Sequence, residues 1–290
     1  MSDGSGNKPH LLVFGPGYSA EPFMEKALRD GWKVSATWRR PEVREALTSK
    51  GIEPIEFSDA SELPDGITHI LVSIAPKAEG DPALNAFGPQ LRAKSTLKWV
   101  GYLSSTNVYG DHDGAWVDEA SETRPSLERG KRRLDAEQAW TGLGRDSEAA
   151  VHIFRLAGIY GQGKNAIRSV LDGKARRIIK PGQVFGRIHR DDIADALWRA
   201  AHSNLVSDIF NLSDDLPAPP QDVIEEACRL LKVTPPAAVP IEEAEMSPMG
   251  RSFYAENKRV KNQKAKDMLG WRLNWPDYRT ALPRLVEEEK

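Results

Sequence analysis

The chain has 290 residues, is 40% hydrophobic and 28% charged, and carries 40 Lys and Arg against 42 Asp and Glu, a formal net charge of -2. This composition is that of a globular chain and excludes a disordered or collagen-like one, and the near-zero charge argues against a nucleic-acid or anionic-membrane binder. No apolar run reaches the roughly 18 to 20 residues of a membrane-spanning helix, and the single cysteine, Cys228, cannot form an intramolecular disulfide, so a cytoplasmic location is expected.

A β-α-β unit is predicted near the N-terminus, after a short leader. Residues 1–8 lack the apolar segment of a signal peptide. The apolar run over residues 11–14 ends at a Gly-Pro-Gly turn, which indicates a buried strand. Apolar residues at helical spacing over 20–28 predict a helix, and residues 32–38 predict a second strand.

The alternation of strands and helices continues along the chain. Further helices are expected over residues 43–50, 84–97, 127–140, 193–201, 217–231 and 262–269. Further strands are expected over residues 52–57, 69–74, 99–104, 151–156 and 209–212, and a loop over 247–259. Strands that alternate with helices of this length predict an α/β protein with a doubly wound parallel sheet and right-handed crossovers.

The turn between the first strand and the first helix has the form G-x-G-x-x-A. Its residues are Gly15, Pro16, Gly17, Tyr18, Ser19 and Ala20. Gly15 permits a tight turn, Gly17 lets backbone amides approach a pyrophosphate, and Ala20 allows the helix to pack closely on the strand with its N-terminus towards the anion. In this strand-turn-helix context, we favour dinucleotide binding over a plain turn.

This loop suggests how the chain is divided. We expect residues 1–157 to form an NAD(P)-binding Rossmann domain, with residues 187–212 returning to its sheet. Residues 158–186 and 213–290 are richer in Gly and Pro and less regular in their spacing. They are expected to form a smaller C-terminal lobe on the substrate side.

The end of the second strand distinguishes between the two nicotinamide cofactors. A carboxylate here usually accepts hydrogen bonds from the ribose 2'-hydroxyl of NAD, but this strand ends in Trp38, Arg39 and Arg40. Because two guanidiniums suit a 2'-phosphate, we expect NADP, with NAD as the alternative; a solvated arginine pair is the other interpretation. Asp59, after the third strand, either accepts from the adenine amino group or is an ordinary loop aspartate.

Three later segments, together with the glycine-rich loop, resemble a known superfamily. They are Ser104-Ser-Thr-Asn-Val-Tyr-Gly110, Arg155-Leu-Ala-Gly-Ile-Tyr-Gly161 and Ile188-His-Arg-Asp-Asp-Ile-Ala194. The chain resembles the short-chain dehydrogenases/reductases, specifically the extended type called the NAD-dependent epimerase/dehydratase family, over roughly residues 10 to 285. This resemblance implies an NAD(P)-binding oxidoreductase.

The resemblance also implies site residues, and here the chain departs from the pattern. Ser105 matches the catalytic Ser/Thr of the family. The family's Y-x-x-x-K pair aligns with Arg129 and Arg133, of which Arg133 could still donate to the nicotinamide ribose. A guanidinium, with a pKa above about 12, cannot exchange a proton near neutrality, so Arg129 cannot replace the tyrosine. The chain therefore resembles the atypical members, which keep the cofactor fold and lose part of the active-site set.

Several other side chains are candidates with two interpretations each. Tyr109 and Tyr160 follow strands and each is either a displaced acid/base or a packed aromatic. Arg251 or Lys258 could contact an anionic group of the substrate. The alternative is that both belong to a solvated loop. Asp191 or Asp192, next to His189, is expected to cap a helix. The six histidines show no metal-binding spacing, so no metal site is expected.

The leading hypothesis is an NADPH-dependent hydride transfer on a small carbonyl or hydroxyl compound. A non-catalytic NADP-binding regulator is the alternative, because it explains the missing Tyr and Lys directly. A nucleotide-sugar epimerase or dehydratase is the third interpretation, which the absent tyrosine disfavours. The expected partner is a small-molecule substrate, with neither nucleic acid nor membrane, and the chain is expected to be a monomer or a homodimer.

Overall fold

A computed structural model describes residues 8–58 and 61–289 of the chain. The predicted leader, apart from Lys8, and Asp59 lie outside these residues. The strands are β1 (His10–Phe14), β2 (Lys33–Trp38), β3 (Glu53–Glu56), β4 (His69–Val72), β5 (Trp99–Ser105), β6 (Trp116–Val117), β7 (Ala150–Leu156), β8 (Gly158–Tyr160), β9 (Arg177–Ile179), β10 (Arg187–His189), β11 (Asp208–Leu212), β12 (Ala238–Pro240) and β13 (Arg259–Val260).

The helices alternate with these strands through the first half of the chain. They are α1 (Glu21–Arg29), α2 (Pro41–Ser49), α3 (Pro82–Arg92), α4 (Glu128–Asp146), α5 (Ala166–Leu171), α6 (Arg190–Ala201), α7 (Pro220–Leu231), α8 (Pro248–Phe253), α9 (Gln263–Leu269) and α10 (Tyr278–Glu288), with a short 3-10 helix over Thr106–Tyr109. No helix among residues 8–58 and 61–289 is both long and apolar enough to cross a membrane.

Seven strands form the central parallel sheet, in the order β11-β7-β5-β4-β1-β2-β3. β1 pairs in parallel with β2 on one side and with β4 on the other. The strand order therefore reverses beside β1, and the glycine-rich loop leaves β1 at its carboxyl end. In open α/β sheets this switch point is where ligands bind. The prediction of a doubly wound Rossmann sheet is confirmed.

The central strands β1 and β4 are buried along their whole length because both faces of the sheet are covered. All five residues of β1 and all four of β4 are buried. The ring of Phe14 at the end of β1 stacks on Phe87 of α3 at 5.4 Å and meets Phe57 edge-on at 6.4 Å. These three rings belong to one hydrophobic cluster.

Two compact units make up the chain. The first contains Met1–Ser104, Arg132–Phe154 and Ala194–Ile209, and the second contains Ser105–Lys131, Arg155–Ile193 and Phe210–Lys290. In the second unit, α5, α7 and α10 pack around a cluster that includes Tyr160, Ile167 and Leu282. The domain boundaries proposed from the sequence remain a prediction.

Several elements differ from the sequence-based expectation. Helix α3 begins at Pro82, two residues earlier than expected, because the Asp81 carboxylate accepts hydrogen bonds from the amides of Ala83 and Leu84. The expected loop over 247–259 contains α8, which Ser247 caps by accepting from the Gly250 amide. Cys228 is buried.

The expectation that Asp191 or Asp192 caps α6 is wrong, because α6 begins at Arg190 and both aspartates lie inside its first turn. Asp192 instead binds a distant segment of the chain. Its Oδ1 accepts hydrogen bonds from the amide and side-chain nitrogens of Asn274, and its Oδ2 accepts from the Trp275 amide. The indole of Trp271 donates to the Asp192 backbone carbonyl at 3.1 Å. Asp192 thus fixes the segment before α10 to the start of α6.

Candidate functional site

The glycine-rich loop after β1 is shaped by Gly15. Its φ is +82°, and a Cβ built there would lie 2.9 Å from Cγ1 of Ile74, so only glycine fits without strain. Its amide donates to the Thr37 hydroxyl at 3.2 Å, and that hydroxyl donates to the carbonyl of Val13. Because Thr37 lies on β2, this pair of bonds connects the loop to the second strand.

Gly17 differs from Gly15, because a Cβ built at Gly17 would meet no protein atom within 4 Å. The side of Gly17 where a side chain would project is therefore open. Ala20 is fully buried and precedes the first residue of α1, and its amide donates to the Gly17 carbonyl at 2.9 Å. Tyr18 and Ser19 complete the turn, Ser19 half-buried. An open Gly17 beside the start of a helix fits the approach of a pyrophosphate.

A cavity of about 350 Å³ adjoins this loop in the first unit, and its lining includes Gly17, Arg39, Arg40 and Phe57. The Arg39 guanidinium lies 4.2 Å above the Phe57 ring, and Arg40 makes an exposed ion pair with Glu42 at 3.4 Å. An exposed pair of this kind contributes little, so Arg40 can exchange Glu42 for another anion at small cost. The two arginines predicted to bind a 2'-phosphate therefore line the same cavity as the glycine loop.

Arg133, also in the first unit, is engaged by β5. Its guanidinium donates to the Leu103 carbonyl at 2.6 Å and to the Tyr102 hydroxyl at 3.3 Å. These bonds fix the side chain against the strand. Its expected contact to a nicotinamide ribose remains a prediction.

A larger cavity, of about 720 Å³, lies in the second unit, and Ser105, Arg129, Tyr160 and Lys258 are among the residues that line it. Ser105 accepts a hydrogen bond from the Asn107 amide at 3.2 Å and so caps the short 3-10 helix after β5. A Cβ at Gly130 would lie 2.8 Å from the Asn107 carbonyl oxygen, so glycine permits the first turn of α4 to approach this loop. That approach brings Ser105 and Arg129 to one cavity.

Arg129 is held by α8. Its Nη1 donates to the Ser252 hydroxyl at 2.7 Å, and its guanidinium lies 4.7 Å from the centre of the Phe253 ring. Its Nε is buried and has no hydrogen-bond partner. The residue at the family's tyrosine position is thus a cation with an unsatisfied donor.

Lys258 lines the same cavity as one half of a buried ion pair. Its ammonium donates to Glu256 at 2.8 Å and to the Gly110 carbonyl at 2.7 Å. Ser126 donates to the second oxygen of Glu256 at 2.9 Å. Burial lowers the pKa of Lys258, although the Glu256 carboxylate opposes this shift.

The two candidate tyrosines differ in position. Tyr109 is fully buried and is not among the cavity-lining residues. Its hydroxyl donates to Asn211 at 2.8 Å and accepts from Arg155 at 3.1 Å, and burial raises its pKa. These contacts give Tyr109 a structural role.

Tyr160 does line the cavity, with its ring edge-on to His189 at 5.1 Å. Its buried hydroxyl has no hydrogen-bond partner, and burial, together with the Asp214 carboxylate, raises the pKa of Tyr160. The phenol is therefore neutral near neutral pH. Of the two tyrosines, only Tyr160 is placed to meet a molecule in this cavity.

Arg251 lies on α8 but does not line the cavity. Its guanidinium donates to the backbone carbonyls of Ala244 and Ile241, at 2.9 and 3.4 Å. Across residues 8–58 and 61–289, no group of three His, Cys, Asp or Glu side chains could hold a metal ion.

Sequence reasoning missed some contacts that shape these cavities. Phe57 packs under Arg39. It directly follows β3, which pairs with β2, and this adjacency could have indicated that Phe57 lies close to the end of β2. Ser252 and Phe253, which hold Arg129, are more than 120 positions away in the chain. No local pattern connects them to Arg129.

Neither a protein-family model nor a curated protein matches the chain. Among solved structures, a functionally unknown conserved protein from Silicibacter pomeroyi is 44% identical, with 98% of this chain and 100% of that chain covered and a TM-score of 0.91. MoeE5 in complex with UDP-glucuronic acid and NAD is 20% identical, with 96% and 98% of the two chains covered and a TM-score of 0.77.

A human structure matches comparably well: the epimerase family protein SDR39U1 with NADPH is 17% identical, with 96% of this chain and 99% of that chain covered and a TM-score of 0.72. These last two likenesses concern the fold, whereas the Silicibacter pomeroyi protein is a relative along its whole length. The chain belongs with the Silicibacter pomeroyi protein to one family, and it shares its fold with the NAD(P)-containing structures of MoeE5 and SDR39U1.

Proposed function

We propose that this protein is an NAD(P)-binding oxidoreductase that prefers NADP(H) and transfers a hydride to or from a small carbonyl or hydroxyl compound. The observation that supports it most is the cavity at the carboxyl end of β1, where an open Gly17 and the Arg39 and Arg40 guanidiniums line one space. MoeE5 and SDR39U1, which share the fold, contain NAD and NADPH respectively.

The preference for NADP(H) follows from charge. Trp38, Arg39 and Arg40 end β2 without a carboxylate to accept from a ribose 2'-hydroxyl. A guanidinium binds phosphate through paired N–H donors and also stacks on flat rings. Arg39, supported from below by Phe57, is suited to both contacts.

The chain's own residues would act on the substrate from the larger cavity. When bound, the nicotinamide supplies or accepts the hydride. The Ser105 hydroxyl would orient the reacting oxygen, and the neutral phenol of Tyr160 would donate a hydrogen bond to the bound molecule. Arg129 exchanges no proton near neutrality, so its contribution is binding.

The cofactor preference is tested with arginine variants. In fluorescence titrations we expect Arg39→Ala and Arg40→Ala to weaken NADPH binding by about tenfold each, because each removes a charge-assisted contact, and to leave NADH binding nearly unchanged. Arg92→Ala, which removes an exposed guanidinium paired with Asp146, is the control. Unchanged NADPH affinity in both variants would refute the assignment.

The second candidate function is an NADP-binding regulator without turnover, and the arginine at the family's tyrosine position favours it. Tritium-labelled NADPH separates the two. An oxidoreductase transfers the label into a component of a metabolite extract, in proportion to protein added. Tight NADPH binding without any transfer would instead establish the regulator.

A further inference from the structure

Basic side chains outnumber carboxylates among the residues that line the larger cavity. Four basic residues line this cavity: Arg129, Lys164, Arg187 and Lys258. Glu256 is the single carboxylate among the described lining residues. Glu256 accepts from Lys258 and Ser126, so both of its oxygens are already engaged. No second carboxylate among the lining residues of the described chain is left to pair with Arg129.

Arg129 is the clearest case. Within the described chain no carboxylate forms a salt bridge with it at 4.0 Å or less, and its one side-chain hydrogen bond is to the neutral Ser252. Its buried Nε has no acceptor. An unsatisfied buried donor on a cation is costly, and an anion bound in the cavity beside the guanidinium would offset part of that cost.

The position of the guanidinium is fixed in advance. Ser252 accepts from one terminal nitrogen, and the Phe253 ring lies against the guanidinium at 4.7 Å. Gly130 allows the first turn of α4 to come close to the loop after β5. A guanidinium held in this way loses little entropy on binding, and its fork matches the two oxygens of a carboxylate or phosphate.

We infer that the molecule bound in this cavity carries an oxyanion, a carboxylate or a phosphate, which Arg129 grips with Lys258 beside it, and that the rest of the molecule, apart from its reacting carbonyl or hydroxyl group, is largely apolar. The apolar part follows from the remaining lining, which includes Ile159, Phe185 and Tyr254. This inference deepens the proposed function. That the bound molecule is a substrate rests on the proposed function, whereas the binding of an oxyanion does not.

Lys258 supports the same conclusion. Its ammonium has three N–H donors, two of which go to Glu256 and to the Gly110 carbonyl. The Arg129 charge is close enough to contribute to the lowered pKa of Lys258, after burial. Glu256 already balances the charge of Lys258, so an anion bound beside this ion pair would balance the charge of Arg129.

Small aromatic anions test this directly. Phenylacetate and phenyl phosphate are titrated by calorimetry, each with and without NADPH, against the neutral isostere phenylacetamide. We expect saturable binding of at least one anion, at least tenfold tighter than that of the amide, and the tighter anion identifies the oxyanion. Equal binding of the amide, or no saturable binding of either anion, would overturn the inference.

Variants locate the binding. Arg129→Met should weaken the favoured anion at least tenfold, and Arg129→Lys, which keeps the charge without the fork, should bind with intermediate affinity. Lys131→Met is the charge-matched control, because Lys131 is an exposed residue of the same helix turn, paired only with Glu128. Melting temperatures establish that each variant is folded. Anion binding unaffected in Arg129→Met would contradict the assignment.

The result is distinguishable from a failure of the proposed function. Anion binding through Arg129 with no NADPH binding would refute the oxidoreductase and leave the oxyanion site standing. If NADPH binds and the label is transferred, but Arg129→Met does not change anion binding, the oxyanion site is refuted and the oxidoreductase is kept.

Discussion

Gly15 and Gly17 are separated by one residue and yet have opposite requirements. Gly15 has a positive φ and a crowded Cβ direction towards Ile74, whereas the Cβ direction of Gly17 is open. The first glycine is thus required by the protein's own packing. The second is required only if another molecule occupies the space beside it.

This contrast gives a prediction for two alanine variants. Gly15→Ala should lower the unfolding free energy by about 1 to 3 kcal/mol, because the methyl group meets Ile74 in a strained conformation. Gly17→Ala should keep the wild-type melting temperature within a few degrees and weaken NADPH binding at least tenfold, because the methyl group blocks the pyrophosphate. Chemical unfolding and fluorescence titration measure the two effects. Full NADPH affinity in Gly17→Ala would show that the loop binds no dinucleotide.

Asp214 makes stability depend on pH. It is 1% exposed, neither carboxylate oxygen has a hydrogen-bond partner, and burial raises its pKa to about 8 despite the charge of Arg187. An unfolded aspartate titrates near pH 4. Between these two values the folded chain retains a proton that the unfolded chain releases. The contribution of Asp214 to the unfolding free energy is therefore fully present below about pH 4. It falls as the pH rises towards 8, by at most about 1.4 kcal/mol per pH unit.

The variant Asp214→Asn removes this dependence, because an amide does not titrate. We expect it to be increasingly more stable, relative to the wild type, as the pH is raised from 5 to 8. Urea unfolding of both proteins at pH 5, 6.5 and 8 measures the difference. A difference that stays constant over this range would mean that Asp214 is ionised throughout in the folded protein.

At the scale of elements, the start of α6 is joined to the segment that precedes α10. Three N–H groups, two from Asn274 and one from Trp275, donate to the buried Asp192 carboxylate. Asp191, the next residue towards the N-terminus, is largely exposed. The two adjacent carboxylates therefore form a natural pair of test and control.

We expect Asp192→Ala to lower the unfolding free energy by about 2 to 4 kcal/mol, because it leaves three donors without their acceptor. Asp191→Ala should change it by less than about 0.5 kcal/mol. Denaturant unfolding near neutral pH measures both. Equal effects of the two substitutions would show that the bonds from Asn274 and Trp275 contribute nothing to stability.

The elements that the sequence predicts well are long ones bounded by clear turn residues. The sequence predicts β1 and α1 because the apolar run over residues 11–14 ends at Gly15-Pro16-Gly17 and apolar residues at helical spacing follow. Strands such as β6 and β13 have two residues each and contain no period to detect. α10 carries Pro283 in its interior, where proline usually argues against a helix.

At the scale of the whole molecule, the candidate site residues that are close in sequence were predictable, and those brought together by long-range packing were not. The glycine loop and Arg39–Arg40 lie within one β-α-β unit, so local patterns were enough to predict that they belong together. Arg129 meets Ser252 and Phe253 through long-range packing, which a local pattern does not encode. The resemblance identified the position of Arg129, and the structure added its unsatisfied Nε.

We expect this protein to bind NADP(H) in preference to NAD(H). The most direct test is a pair of nicotinamide-fluorescence titrations of the wild-type chain, with NADPH and with NADH, at the same moderate salt concentration. We predict saturable binding of NADPH at least tenfold tighter than that of NADH, with competition by NADP⁺. Equal affinities, or no saturable binding of NADPH, would contradict the claim.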